Sequence, residues 1–289
     1  MKLYEDCLSC AVNQVIHVLR MTGVREREEI YHAAFDILSR VDFGKTSPEM
    51  SGDLYRMIRE KTGTEDPYAD IRRKCNALML DLLPRLREGI RQSEDPFRRA
   101  VISAILGNII DFSAPGKLTD EVILRTFENA GQRDVTVDDI PQLREACAKA
   151  KTLLYVGDNC GEIAADTLLL SEIRRMNPDV EMIYAVRGAP VVNDVLYCDA
   201  VQCGIPGLAQ VIDTGDDAQG AVLGRCGKSF REAYRRADVI IAKGQGNMEG
   251  LTESPDPRVY CLLMAKCVHI AATIGVQPGE LAVIRLGKE

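Results

Sequence analysis

The sequence predicts an α/β protein in which a parallel sheet follows an N-terminal region made almost entirely of helices. In residues 1 to about 145, apolar side chains recur three and four positions apart, which is typical of amphipathic helices. After residue 151, short apolar runs alternate with helical or glycine-rich segments, and this alternation indicates βαβ units. We therefore expect a helical domain over 1–145 and an α/β domain over 146–289.

The apolar periodicity predicts helices over 7–21, 26–39, 51–61, 68–92, 95–110 and 139–149. Three of these begin near a Ser-Pro or Asp-Pro pair, and proline suits the first turn of a helix. Pro84 is expected to kink or break the fourth helix, because proline lacks a backbone N–H. The segment 113–117, SAPGK, is the clearest break between helices.

Six short runs are predicted as strands, namely 153–156, 182–186, 211–212, 239–242, 260–264 and 282–286. The run at 239–242, VIIA, is apolar throughout, as in a strand that is covered on both faces.

Composition excludes several classes of protein. The 36 basic and 43 acidic residues leave a net charge of -7, which argues against a nucleic-acid-binding protein. Glu5 and Asp6 stand where a signal peptide needs apolar residues, so no export signal is expected. The longest apolar stretches fall far short of the roughly 20 residues that cross a bilayer. Ten cysteines are too few for a disulfide scaffold in a chain of 289 residues, so we expect reduced thiols and a cytoplasmic protein.

Polar residues follow three of the predicted strands, where ligands bind in open α/β sheets. They are Asp158, Asn159 and Glu162 after the first strand, Arg187, Asn193 and Asp194 after the second, and Lys243, Gly244 and Asn247 after the fourth. The oxygens of Asp158, Asn159 and Asp194 suit Mg²⁺ or Mn²⁺. Lys243 adds a positive charge beside glycines whose N–H groups can approach a phosphate. Together these residues predict a divalent-metal and phosphate site.

Each signal has a second interpretation. An Asp-Asn pair after a strand is commonly a turn or a helix cap. Arg187 would bind phosphate or pair with a surface acid, and Glu162 would serve the site as a base or face solvent in a first helical turn.

If Asp158 and Asp194 share one ion, Asp194→Asn should remove metal binding with little loss of folding, because it changes charge more than shape.

Seven motifs extend along nearly the whole chain: Cys7-x-x-Cys10, Asp66-Pro67-Tyr68 with Lys74 and Asn76, Gly107-Asn108-Ile109-Ile110-Asp111, Asp158-Asn159-x-Gly161-Glu162, Arg187-x-x-Pro190-x-x-Asn193-Asp194, Thr214-Gly215-Asp216, and Lys243-Gly244-x-Gly246-Asn247. With these motifs the sequence resembles the damage-control phosphatases, a family of metal-dependent phosphatases formerly catalogued as proteins of unknown function, and it is most similar to the prokaryotic branch.

The resemblance implies a helical region packed on a Rossmann-like core and the hydrolysis of small phosphorylated metabolites such as sugar phosphates. It implies a divalent cation, Mg²⁺, Mn²⁺ or a later first-row metal such as Co²⁺ or Ni²⁺, held by Asp158, Asn159 and Asp194. It assigns the phosphate contact to Lys243. It also suggests that Asn108 and Asp111 connect the helical region with the active site.

Two further alternatives stay open. Cys7 and Cys10, with Cys75 on another helix, form either a soft-metal or redox site or a set of buried thiols. The chain is either a phosphatase, an S-adenosylmethionine-dependent methyltransferase or a non-catalytic metabolite-binding protein. The glycines after the first strand lack the G-x-G-x-x-G spacing of a dinucleotide-binding loop. This argues against an enzyme that uses a nucleotide cofactor, such as the methyltransferase.

Overall fold

The N-terminal region forms helices, as predicted. The computed structural model describes residues 1–107, 120–128 and 130–287, and the predicted break at 113–117, Asn108 and Asp111 lie outside these residues. The helices of this region are α1 (Asp6–Met21), α2 (Glu28–Ser39), α3 (Ser47–Thr62), α4 (Ala69–Arg91), α5 (Pro96–Leu106) and α6 (Asp120–Glu128).

Local capping explains where two of these helices begin. Before α3, the Glu49 carboxylate accepts a hydrogen bond from the Thr46 backbone N–H at 2.8 Å, which completes a capping box. Before α5, the Asp95 side chain accepts from the Arg98 N–H at 2.9 Å. Helix α4 continues through Pro84, so of the two outcomes expected for this proline, a kink or a break, the break does not occur.

The C-terminal region forms a seven-stranded sheet. The strands are β1 (Val135–Asp138), β2 (Thr152–Val156), β3 (Glu181–Val186), β4 (Gln210–Asp213), β5 (Val239–Lys243), β6 (Val259–Met264) and β7 (Leu281–Arg285). The helices between them are α7 (Ile140–Lys149), α8 (Glu162–Met176), α9 (Tyr197–Gln202), α10 (Lys228–Arg236), α11 (Gly244–Leu251) and α12 (Val268–Ile274).

The strand order is β1-β7-β6-β5-β2-β3-β4, and all neighbours are parallel except β6 and β7. The predicted parallel sheet is thus confirmed from β6 to β4, whereas β7 and its parallel neighbour β1 run in the opposite direction, which an apolar pattern does not encode. The description of 1–145 as helical also misses β1, an edge strand of four residues. The boundary at 145/146 stays a prediction, and β1 lies on its N-terminal side.

The core lies on both faces of the sheet. Leu153 and Tyr155 of β2 face one apolar cluster, whereas Leu154 and Val156 face the other, as the alternation of side chains in a strand requires. Helix α5 is buried from Ala100 to Leu106 and packs against α8. A helix that is apolar on all sides belongs in a protein interior. None of the described helices has both the length and the apolar character needed to span a bilayer.

The sheet places one crevice at its centre. From β2 the chain proceeds outward to β3 and β4, and from β5 it proceeds in the opposite direction to β6. The carboxyl ends of β2 and β5 therefore flank the point where the strand order reverses, which is where open α/β sheets bind ligands.

Candidate metal and phosphate site

The loops after β2 and β3 are held together by their backbones. The Val195 N–H donates to the Asp158 carbonyl and the Cys160 N–H donates to the Asn193 carbonyl, both at 2.9 Å. Asn159 and Asp194 form an antiparallel bridge between the two loops. The structure thus brings Asp158, Asn159 and Asp194 together, although 35 residues separate Asn159 from Asp194 in the sequence.

Asp194 and Arg187 form a buried ion pair beside Asp158. Arg187 Nε donates to Asp194 Oδ2 at 2.7 Å, and Arg187 Nη2 lies 3.6 Å from Asp158 Oδ1. Among the described residues, neither Asp194 Oδ1 nor the two Nη nitrogens of Arg187 has a hydrogen-bond partner. Burial raises the pKa of Asp194 to about 7, with Arg187 opposing the rise and Asp158 adding to it.

Gly244 makes room for the Asp158 carboxylate. A Cβ at this position would lie 1.8 Å from Asp158 Oδ2, and the glycine has a φ of +75°. Asn247 holds the same turn, since its Nδ2 donates to the carbonyls of Gly157 and Lys243 at 3.0 and 2.6 Å. The Asn247 side chain therefore connects the backbone after β2 with the backbone at the end of β5. The sequence had suggested a substrate contact for this residue.

Lys243 and Glu162 lie behind the metal-ligand candidates. Lys243 Nζ donates to Glu162 Oε1, to Asp166 Oδ1 at 2.7 Å and to the Ala104 carbonyl at 2.7 Å. Burial raises the pKa of Glu162 to about 7, while Lys243 opposes the rise and Asp158 adds to it. Asp166, which the sequence argument did not single out, is four residues after Glu162 and so shares its face of α8.

The charges and donor atoms of this cluster fit a divalent cation. Six buried charged side chains lie here: Asp158, Glu162, Asp166, Asp194, Arg187 and Lys243. When all four carboxylates are ionised, they exceed the two cations by two charges, which a divalent cation would offset. The carboxylate and amide oxygens are hard ligands, and Asp194 Oδ1, which has no partner among the described residues, is suited to a cation or a donor. The residues present therefore suit the metal that the sequence implies.

The cluster opens into a cleft of about 910 Å³, a volume suited to a small-molecule ligand. Asp158, Asn159 and Asn193 form part of its wall, and Gln14 of α1 and Ser51 of α3 form another part. The helical region thus completes the cleft that the sheet begins. Gln14 Nε2 donates to Gln219 Oε1 at 3.1 Å and so joins the two regions.

Lys266 lines the cleft and was not among the residues predicted from the sequence. It follows β6, whose carboxyl end points the same way as those of β2 and β5, and it lines the cleft. Its positive charge favours the ionised form of Asp194. Its ammonium forms no ion pair with any of the described residues. The sequence carries a signal for it, because Lys266 lies two residues after the predicted strand at 260–264.

The structure does not bring the three predicted cysteines together. Cys7 and Cys10 line the cleft with Cys267, whereas Cys75 is buried against Cys160. Burial is the main cause that raises the pKa of Cys7, so its thiol stays protonated. Within the part of the chain that the structure describes, no three His, Cys, Asp or Glu side chains form a metal-binding cluster. The set of Asp158, Asn159 and Asp194 contains only two acids.

Comparison with known proteins identifies the family. The chain matches the model of the damage-control phosphatase ARMT1-like domain over residues 3–282. It is 32% identical to a damage-control phosphatase of Pyrococcus horikoshii, over 99% of this chain and 98% of that protein. It is 29% identical to a damage-control phosphatase of Archaeoglobus fulgidus, over 97% and 98%. The crystal structure of a DUF89 family protein from Pyrococcus horikoshii has a TM-score of 0.90 and 30% identity, and 99% of both chains is covered. The chain therefore belongs to the damage-control phosphatase family and is a phosphatase, as the resemblance implied.

Proposed function

We propose that this phosphatase hydrolyses phosphate monoesters of small metabolites, sugar phosphates among them, with a divalent cation held by Asp158, Asn159 and Asp194. The observation that carries the proposal is the buried pair of carboxylates at the strand-order reversal, in which Asp194 Oδ1 has no partner among the described residues. Mg²⁺, Mn²⁺, Co²⁺ and Ni²⁺ all accept such oxygen ligands.

The charged residues of the site would have different roles: the acids would bind the cation, and Arg187 would bind Asp194 and the phosphoryl group. A bound divalent cation would supply Lewis acidity toward a phosphoryl oxygen. Asp158 and Asp194 would hold it, and Arg187 would keep Asp194 in place through the bond from Nε. The Nη nitrogens of Arg187, which have no hydrogen-bond partner within the described part of the chain, are donors suited to a phosphoryl oxygen. Asn193 and the polar side chains from α1 and α3 would contact the rest of the substrate.

Lys266 is our candidate for the cation that meets the phosphoryl group. It lines the cleft, and its positive charge favours the ionised form of Asp194. We expect Lys266→Ala to raise KM for a sugar phosphate about tenfold, because a charge-assisted contact to the phosphoryl group is lost in the ground state as well as the transition state. Steady-state kinetics checks this. Lys2→Ala removes the same charge from another residue of the cleft wall, and an equal effect there would contradict a specific contact.

Metal removal tests the proposed function directly. We expect protein treated exhaustively with a chelator to release no inorganic phosphate from sugar phosphates, and added Mg²⁺, Mn²⁺, Co²⁺ or Ni²⁺ to restore release. Phosphate release that survives chelation would contradict the metal requirement. Calorimetric titration with S-adenosylmethionine addresses the methyltransferase alternative, which family membership does not favour. Binding of sugar phosphates without turnover would indicate a metabolite-binding protein.

We also propose that the protein acts in the cytoplasm. All ten cysteines are free thiols, which is typical of proteins in a reducing compartment. The net charge of -7 gives no basis for a nucleic-acid partner, so a small phosphorylated metabolite is the proposed ligand.

A further inference from the structure

Lys243 already has a partner for each hydrogen of its ammonium group. The side chain is fully buried at the end of β5. Nζ donates to Ala104, Asp166 and Glu162, and an ammonium group has three donors and no acceptor. Lys243 is also absent from the described residues that line the cleft. No donor is left for a phosphoryl oxygen.

Release of Lys243 toward a substrate would be strongly unfavourable. Glu162 and Asp166 are both fully buried, and a buried carboxylate that loses its cation is uncompensated. Burial alone would lower the pKa of Lys243, but Asp166 and Glu162 hold it above its usual value. The ammonium therefore stays charged and stays where it is.

Glu162 connects Lys243 to the metal-ligating loop, the residues 157–161 that carry the proposed ligands Asp158 and Asn159. One carboxylate oxygen accepts from Lys243, and the other accepts from the backbone N–H and the Nδ2 of Asn159, both at 3.4 Å. Asn159 Nδ2 then donates to Asp158 Oδ2 at 2.6 Å. A chain of three contacts thus connects Lys243 to Asp158.

Asp166 anchors the other side of Lys243. It accepts from the Tyr155 hydroxyl at 2.6 Å and from the Tyr184 hydroxyl at 2.8 Å, and the two rings stack. A Cβ on Gly157 would lie 2.5 Å from the Tyr184 hydroxyl, so the loop after β2 is packed directly on this group. The network under the loop is buried and joined to β2, β3, α5 and α8.

We propose that Lys243 is a positioning residue that fixes Glu162 against Asn159 and so sets the geometry of the metal-ligating loop, without contact to the phosphoryl group. The proposal rests on the proposed function for the role of Asp158 and Asn159. It replaces the phosphate contact that the sequence assigned to Lys243.

The test compares Lys243→Met with Lys266→Met, which makes the same change at the lysine that lines the cleft. We expect Lys243→Met to weaken Mn²⁺ binding to the metal-free protein about tenfold, the effect of losing a contact that supports a metal ligand. Calorimetry measures it. The kcat of Lys243→Met should fall, while its KM and the inhibition constant of inorganic phosphate stay within about twofold of the wild-type values. Lys266→Met should show the reverse pattern, with phosphate inhibition weakened and Mn²⁺ binding retained.

An inhibition constant of inorganic phosphate raised about tenfold in Lys243→Met, with unchanged Mn²⁺ affinity, would overturn the proposal. If that variant does not fold, Glu162→Gln decides, because it alters the same link and nearly keeps its shape. Glu162→Gln should also weaken Mn²⁺ binding about tenfold, and unchanged Mn²⁺ affinity in this variant would equally overturn the proposal. A wild-type protein that releases no phosphate would refute the proposed function, whereas the Mn²⁺ titrations would still decide the role of Lys243.

Discussion

Asp194→Asn is expected to abolish divalent-metal binding and turnover. The change removes one of the two charges at the centre of the site, where Oδ1 of Asp194 has no partner among the described residues. Loss of a supporting contact costs roughly 10- to 100-fold in metal affinity, so loss of a charged ligand should cost more. Titration of the metal-free protein with Mn²⁺, together with the rate of phosphate release, measures both effects.

The structure changes the expected effect of this substitution on folding. The sequence predicts little loss, but Asp194 is paired with Arg187 at 2.7 Å and both side chains are fully buried. Removal of one partner from a buried ion pair leaves an uncompensated charge and costs about 3 kcal/mol. Urea unfolding should therefore show a stability loss of that order.

Asp199→Asn is a control for Asp194→Asn. Asp199 is also a buried acid paired with a buried arginine, Arg72, at 3.0 Å, and it is not among the proposed ligands. Because Arg72 keeps a second acidic partner, Asp66, at 2.9 Å, we expect a smaller loss of stability than in Asp194→Asn and unchanged Mn²⁺ affinity. If both variants lose metal binding equally, the loss reflects general loosening of the fold and Asp194 is not a ligand.

The clustering of the site was predictable because it depends on topology. Asp158 and Asp194 follow neighbouring parallel strands, and the carboxyl ends of such strands meet at one edge of the sheet. The helices of the first half were equally predictable, because apolar residues recur there three and four positions apart. Strand β1 was missed because four residues with one buried side chain carry almost no periodic signal.

The surroundings of the lysines were not predictable in the same way. Lys243 and Lys266 both follow strands at the same edge, and nothing in their local sequence says which of them meets solvent. The distinction depends on Glu162 and Asp166, which α8 places against the end of β5. That contact joins residues about 80 positions apart, so only the packed structure shows that Lys243 forms ion pairs, whereas Lys266 forms none with the residues that the structure describes.

Gly244→Ala is expected to eliminate metal binding by displacing Asp158. The added Cβ would lie 1.8 Å from Asp158 Oδ2, which no Cβ contact allows, and the carboxylate must move away. Because Asp158 and Asp194 would share one cation, displacement of either should remove most of the affinity for Mn²⁺. The rate of phosphate release should fall with it.

Gly275→Ala separates this steric effect from backbone strain. Gly275 has the same φ of +75°, but a Cβ there would meet nothing within 4 Å. Both variants carry the cost of a left-handed alanine, about 1 kcal/mol, and only Gly244→Ala carries the clash. We expect calorimetry to show wild-type Mn²⁺ affinity for Gly275→Ala and none for Gly244→Ala, with urea unfolding confirming that both proteins are folded. Equal Mn²⁺ affinity in the two variants would show that the Asp158 carboxylate can bind the metal from another position, and the coordination proposed for this site would have to change.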